Sequence, residues 1–141
     1  MAMDFIEIKT QQELEEAYVV MRELVPELDK EVFLKSLNHD LLKNHKLFGL
    51  RSSGKLVSVA AVWLLMNGLL EKFFWIYAFV TTKEMRSKGF GKELLLQLEN
   101  YAARENFNEI RVHAHRKRAI AFWENKANFE IFSHVLRKKI K

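Results

Sequence analysis

The spacing of hydrophobic positions changes several times along this chain, and each change marks an element. Residues 4–9 set Phe5, Ile6 and Ile8 among acids and a lysine, which predicts a short first strand. Thr10 followed by Glu13 three residues on fits a capping box. Leu14, Ala17, Tyr18, Met21 and Leu24 then recur at helical spacing until Pro26 interrupts them. Asp29 opens a second helical pattern through Val32, Phe33, Leu37, Leu41 and Leu42, which fades near Asn44.

From Lys46 the period is that of strands. Residues 46–51, 56–66 and 73–80 are β-rich runs separated by turn signals. Ser52-Ser53-Gly54-Lys55 predicts one hairpin, and Asn67-Gly68, a type I′ signal, predicts the next. The run 73–80 is apolar throughout, as in a strand covered on both faces. After a polar turn over 81–88, Gly89 opens a helix with Leu94, Leu95, Leu98, Tyr101 and Ala102 on one side, ending about Glu105. Residues 109–115 alternate as a strand, Ala119, Phe122 and Trp123 mark a short helix, and 129–140 reads as a last strand. The order is β-α-α-β-β-β-α-β-α-β. A strand, a crossover helix and another strand imply a locally parallel pair. The fold class is therefore α/β (α+β), with a mixed, mostly antiparallel central sheet of about six strands flanked by helices. No repeat, linker or composition break divides residues 1–141, so one domain is expected.

Composition narrows the classes. With 49% hydrophobic and 12% aromatic residues the chain is not disordered, and without Cys it has no disulfide, thiolate metal site or cysteine nucleophile. The amino terminus lacks a basic segment followed by an apolar one, and the apolar run 56–66 is too short to span a bilayer. A cytoplasmic protein is the expectation. A net charge of +5 and a pI near 9.5 favour anionic ligands: nucleic acid, anionic lipid or a phosphorylated cofactor.

The chemistry concentrates in residues 80–95, where an apolar strand runs into a basic, Gly-punctuated turn that opens an amphipathic helix. Such a turn leaves backbone N–H groups unpaired at a positive helix terminus. Gly89 and Gly91 let an anion approach closely, and Arg86, Lys88 and Lys92 add charge, which suits a phosphate or pyrophosphate. A Walker A loop is excluded because Glu93 follows Gly91-Lys92. A Rossmann fingerprint is excluded because Leu94 stands where a third Gly is needed.

Arg86-Ser87-Lys88-Gly89-Phe90-Gly91, directly after the strand ending Phe79-Val80-Thr81, resembles the Arg/Gln-x-x-Gly-x-Gly/Ala acyl-CoA signature of the GNAT N-acetyltransferase superfamily. Ala119-Ile120-Ala121-Phe122-Trp123-Glu124, followed by Asn128-Phe129-Glu130, is similar to that family's Ala-x-x-Phe-Tyr-Glu…Gly-Phe-Glu segment. The resemblance covers about the last two-thirds of the chain. It implies acetyl-CoA as cosubstrate; that no metal is needed is expected from the residues themselves, which lack Cys and any His and acid spacing suited to a ligand set. Arg86, Ser87, Lys88, Gly89, Phe90, Gly91 and Lys92 would hold the pyrophosphate, and the backbone of Phe79, Val80 and Thr81 would pair with the pantetheine arm. Phe122 and Trp123 would lie beyond the cofactor. It further implies two splayed parallel strands, 73–80 and 109–115, with the acceptor entering from the opposite side.

The chain departs from the family pattern at functional positions. Trp123 stands where a Tyr commonly protonates the leaving thiolate, and indole N–H is a donor that does not ionise usefully. Arg116 stands where Asn is frequent, and Asn128 where Gly is usual, an exchange suited to a left-handed conformation. Phe73-Phe74-Trp75 occupies the neighbourhood in which some members carry a Glu base. The candidate proton carriers are Tyr77, His113 and His115, the two imidazoles sharing one strand face. His-x-His without Cys or spaced acids is a poor metal site.

The expected reaction is transfer of an acetyl group from acetyl-CoA to a primary amine by direct attack in a ternary complex. The acceptor is a small molecule or a protein amino group. Glu13, Glu15, Glu16, Glu27, Asp29 and Glu31 on the first two helices mildly favour a cationic one. The rival readings are a non-catalytic acyl-CoA sensor and a basic nucleic-acid-binding module. With one strand after the last helix, the sheet edge is either completed by a partner chain, as in a homodimer, or left short and charged.

Overall fold

The computed structural model describes residues 2–39, 42–114 and 116–141. Five strands among these residues form one sheet in sequence order: β1 (Met3–Ile8), β2 (His45–Ser52), β3 (Lys55–Met66), β4 (Lys72–Thr81) and β5 (Glu109–Val112). The first four pair antiparallel; β5 lies parallel to β4. Helices α1 (Gln11–Met21) and α2 (Lys30–Leu34) cover one face. Helix α3 (Phe90–Arg104) covers the other, with α4 (Lys117–Ala121) and the π-helical turn Phe122–Lys126 that continues it.

Local chemistry explains the boundaries. Thr10 caps α1: its hydroxyl accepts from Glu13 N–H at 3.1 Å, while the Glu13 carboxylate accepts the Lys9 and Thr10 amides at 2.8 and 2.9 Å. Asp29 caps α2 by accepting from Val32 N–H at 2.9 Å. Ser53 (φ 51°) and Gly54 (φ 82°) supply the two left-handed residues of the hairpin between β2 and β3.

Because the sheet is covered on both faces, alternate residues of its inner strands enter different cores. Phe48, Val62, Phe74 and Ile76 pack against Leu94, Leu95 and Leu98 of α3. Leu47, Val59, Ala61, Ala78 and Val80 pack against Leu14, Ala17, Val20 and Met21 of α1. On β4 this parity inverts. Ala61 faces Ala78, but Val62 faces Ile76, so Tyr77 is an extra residue in the ladder. A bulge re-aims the strand, which explains why Ile76 and Ala78, two apart, point to opposite layers.

Several sequence expectations need correction. Residues 129–140 form no strand, so the sheet has five strands among the described residues rather than about six. Ile131 and Leu136 are 70% and 93% exposed. This tail carries apolar residues on both alternating faces and so needs cover on both sides, which the four-residue β5 does not supply. The Asn67-Gly68 turn is a five-residue loop: the Asn67 side chain accepts from Leu69 and Glu71 amides at 2.9 and 3.1 Å, and Leu70, not Gly68, has positive φ (64°). The second helical run shortens to α2 and a 3₁₀ turn, Ser36–Asn38. Strand β5 ends at Val112 instead of residue 115.

Candidate active site

The site follows from where the parallel pairing stops. Strand β4 is in register with β5 from Phe73 to Ile76, and the last contact is the His113 amide to the Ile76 carbonyl at 3.4 Å. Residues 77–81 then continue along β3, with the other edge open to any strand among the described residues. The bulge at Tyr77 sits at the point of divergence. A cavity of about 500 Å³ opens there, between α1–α2 on one side and α4 on the other.

The carboxyl end of β4 leads into the glycine turn. Gly89 caps α3 in the left-handed conformation (φ 86°) and Ser87 is also left-handed (φ 63°). No side chain caps this helix, and its first backbone bond runs from Glu93 N–H to Gly89 C=O. The amides of residues 90–92 therefore lack intrahelical partners, the electrostatic arrangement that favours an anion. A Cβ on Gly91 would meet Phe79 and Thr81 only at 3.6 and 3.8 Å, ordinary contact distances, so packing does not demand glycine there. Lys88 and Lys92 are exposed and form no ion pair among the described residues. Arg86 turns back to donate from Nε to the Thr81 carbonyl at 3.0 Å.

The other expected residues are distributed as follows. The Phe90 side chain is buried in the α3 core, so only its amide faces the turn. Val80 packs toward α1, and the Thr81 hydroxyl bonds to Ser58 Oγ at 2.8 Å. Phe79 points the other way, into a ring cluster with Phe122 (6.1 Å) and Trp123 (5.1 Å). Trp123 is buried and also touches Phe129 at 5.0 Å; it walls the cavity as a packing residue. Asn128 has φ 59°, the conformation that tolerates Asn for Gly. Gly89 and Lys92 border a second hollow of about 840 Å³ between α3 and β5.

Tyr77 and His113 both line the 500 Å³ cavity. His113 is exposed and meets Trp75 edge-to-face at 4.9 Å. His115 lies outside the described residues. Burial pushes the Tyr77 phenol up to about 12, so at neutral pH it is a donor and a poor base. Its hydroxyl is hydrogen-bonded to His45 Nε2, and its ring stacks on Trp63 at 4.6 Å.

His45, a residue the motif analysis did not single out, is 7% exposed, and burial lowers its pKa below the ordinary imidazole value. Its Nδ1 is buried without a partner. Whichever tautomer it adopts, Nδ1 is unsatisfied. His45 sits on β2, two strands from Tyr77 and 32 residues away in sequence, so no local signal connects them. Among the described residues, no group of three or more His, Asp or Glu is placed to hold a metal, and no helix is long and apolar enough to cross a membrane.

A family model described as the acetyltransferase (GNAT) family matches residues 9–129. The uncharacterized N-acetyltransferase YhdJ of Bacillus subtilis (strain 168) is 29% identical over 137 residues, covering 95% of this chain and 96% of that protein. A ribosomal-protein-alanine N-acetyltransferase from Brucella melitensis has the same fold, with a TM-score of 0.82 at 16% identity over 98% of this chain and 100% of that one. An aminoglycoside acetyltransferase from an uncultured soil metagenomic sample matches with a TM-score of 0.78 at 17% identity, over 99% and 96% of the two chains.

Proposed function

The chain belongs to the GNAT acetyltransferase family, and from that premise we propose that residues 1–141 act as one cytoplasmic domain that moves an acetyl group from acetyl-CoA to a primary amine by direct attack in a ternary complex. The observation that carries the donor assignment is the uncapped α3 terminus beside the open edge of β4. The amides of residues 90–92, with Lys88 and Lys92 near them, suit a pyrophosphate. The edge of residues 77–80 that no described strand covers suits an extended amide-bearing arm, which would add to the sheet as a strand does.

Acetyl-CoA supplies an activated thioester whose sulfur is a good leaving group. The amine nitrogen forms the new C–N bond as the C–S bond breaks, the nitrogen gives up one proton, and the departing thiolate takes one. Positioning accounts for much of such a rate. This chain contributes a neutral, protonated Tyr77 as the donor toward the leaving sulfur, and a neutral His45 behind it that holds the phenol in place. His113, at the rim of the same cavity, is the remaining candidate for the amine's proton.

The test is calorimetric titration with acetyl-CoA. Gly91→Glu puts bulk and negative charge at the turn and is expected to weaken binding by about 100-fold or more. Gly91→Ala, whose methyl has room, should bind as the native protein does. Equal affinity in native and Gly91→Glu protein would dismiss the donor site.

A further inference from the structure

The sequence places many acids on the first two helices, but the structure employs several of them elsewhere. Glu13 and Asp29 cap α1 and α2. Glu16 forms a bidentate pair with Arg51 at 2.6 and 2.9 Å, and Glu23 accepts the Lys83 amide at 2.8 Å. None of the six acids expected to favour a cationic acceptor borders the cavity at Tyr77, and its described lining includes no carboxylate at all.

What α1, α2 and the loop between them present there is apolar: Met21, Leu24, Leu28, Val32 and Phe33. Val32, 67% exposed, borders the cavity at its solvent side, so an apolar group entering there would cover it. The polar groups are few. Ser36 and His45 both border the cavity, and their Oγ and Nδ1 atoms are buried with no hydrogen-bond partner among the described residues. Buried polar atoms in native proteins are almost always hydrogen-bonded, and these two give a polar ligand group an acceptor and a donor to bond. Among the described lining residues the one formal cation is Arg116.

We infer that the acceptor is a small primary amine with an apolar, aryl- or alkyl-bearing body and no second cationic group, its body seated against Val32 and Phe33 and its polar end directed at Ser36 and His45. This rests on the transferase reading above and refines it. A described lining without a carboxylate offers an ammonium ion no counter-charge, so it favours delivery of the amine in its neutral, nucleophilic form. Polycations meet the opposite condition: each charge loses water and gains no partner.

The experiment titrates the full chain with 2-phenylethylamine and with spermidine, with and without saturating CoA, reading tryptophan fluorescence, to which Trp123 in the cavity wall and Trp63 and Trp75, packed on Tyr77 and His113, contribute. The acetylation rates with acetyl-CoA are then compared. Phenylethylamine is expected to saturate and to exceed spermidine by at least about tenfold in affinity and in kcat/KM. Val32→Glu, at an exposed position that folding tolerates, should narrow that ratio by about tenfold or invert it. Equal or better use of spermidine overturns the inference, as does an absence of phenylethylamine binding in both conditions. Binding of phenylethylamine by a protein that does not bind acetyl-CoA would overturn the transferase reading and leave the apolar site standing.

Discussion

Along β4, residues 73–76 lie between β3 and β5, whereas residues 77–81 have β3 as their only neighbouring strand among the described residues. Both halves are rich in aromatic and aliphatic side chains, and composition does not separate them. In the first, Phe74 and Ile76 are fully buried against α3. In the second, a single inserted residue inverts the parity of the strand and Tyr77 lines the cavity, while one edge has no strand beside it among the described residues. The difference lies in what the neighbouring strand does. Strand β5 stays with β4 for four residues and then leaves, and the backbone groups it abandons become the place where an extended ligand can bond.

The sharpest way to separate the halves is by truncating one residue in each. Phe74 is fully buried and touches the rings of Phe48, Tyr101 and Phe107 at 5.4–5.9 Å. Phe74→Ala is expected to cost about 3–5 kcal/mol of stability. Denaturant unfolding checks this, and any residual folded protein should keep its acetyl-CoA affinity. Tyr77→Phe does the reverse. It keeps the ring on Trp63 and removes only the hydroxyl, costing about 1–2 kcal/mol of stability because His45 loses a buried partner. It is expected to lower kcat about 100-fold or more while leaving acetyl-CoA affinity unchanged. A Tyr77→Phe enzyme with native kcat would move the proton donor elsewhere in the cavity.

How far these halves could be told apart in advance depends on the range of the interactions. The meander, the Thr10 cap, the Ser53-Gly54 hairpin and the Gly89 turn are set by residues within a few positions of one another, and the periodicity carried them. Apolar runs also identified β4 as a strand covered on both faces, and the signature after it located the α3 terminus. The bulge left no such mark, because Tyr77 is one more aromatic residue in an aromatic run. His45 was equally silent, since its partner arrives from two strands away. The tail misled for a related reason. Ile131, Phe132, Val135 and Leu136 have strand-like composition, but pairing needs an edge of matching length, and β5 offers four residues. The acids of α1 and α2 pointed to a cationic acceptor until their hydrogen bonds placed several of them on caps and on Arg51.

The smallest effect tests whether the open half of β4 is anchored by a neutral imidazole. Burial holds the pKa of His45 below its ordinary value of 6.5 in the folded protein. In the interval between that depressed value and 6.5 the unfolded chain takes up a proton that the folded one refuses, so stability there rises with pH. The contribution is present in full above 6.5 and is lost as the solution is acidified through the interval. Once the folded imidazole also protonates, the slope from this group vanishes. Glu13 and Glu16 add acid lability as well, but their folded pKa values lie below 4.5, so their loss begins at lower pH. His45→Gln offers Tyr77 an uncharged partner and should flatten the dependence just below pH 6.5 while sparing the steeper fall in stronger acid. Urea midpoints measured from pH 7 to pH 4 on both proteins read this directly. Parallel curves would mean that the folded imidazole takes up its proton as readily as the unfolded one, and that burial does not hold it neutral below pH 6.5.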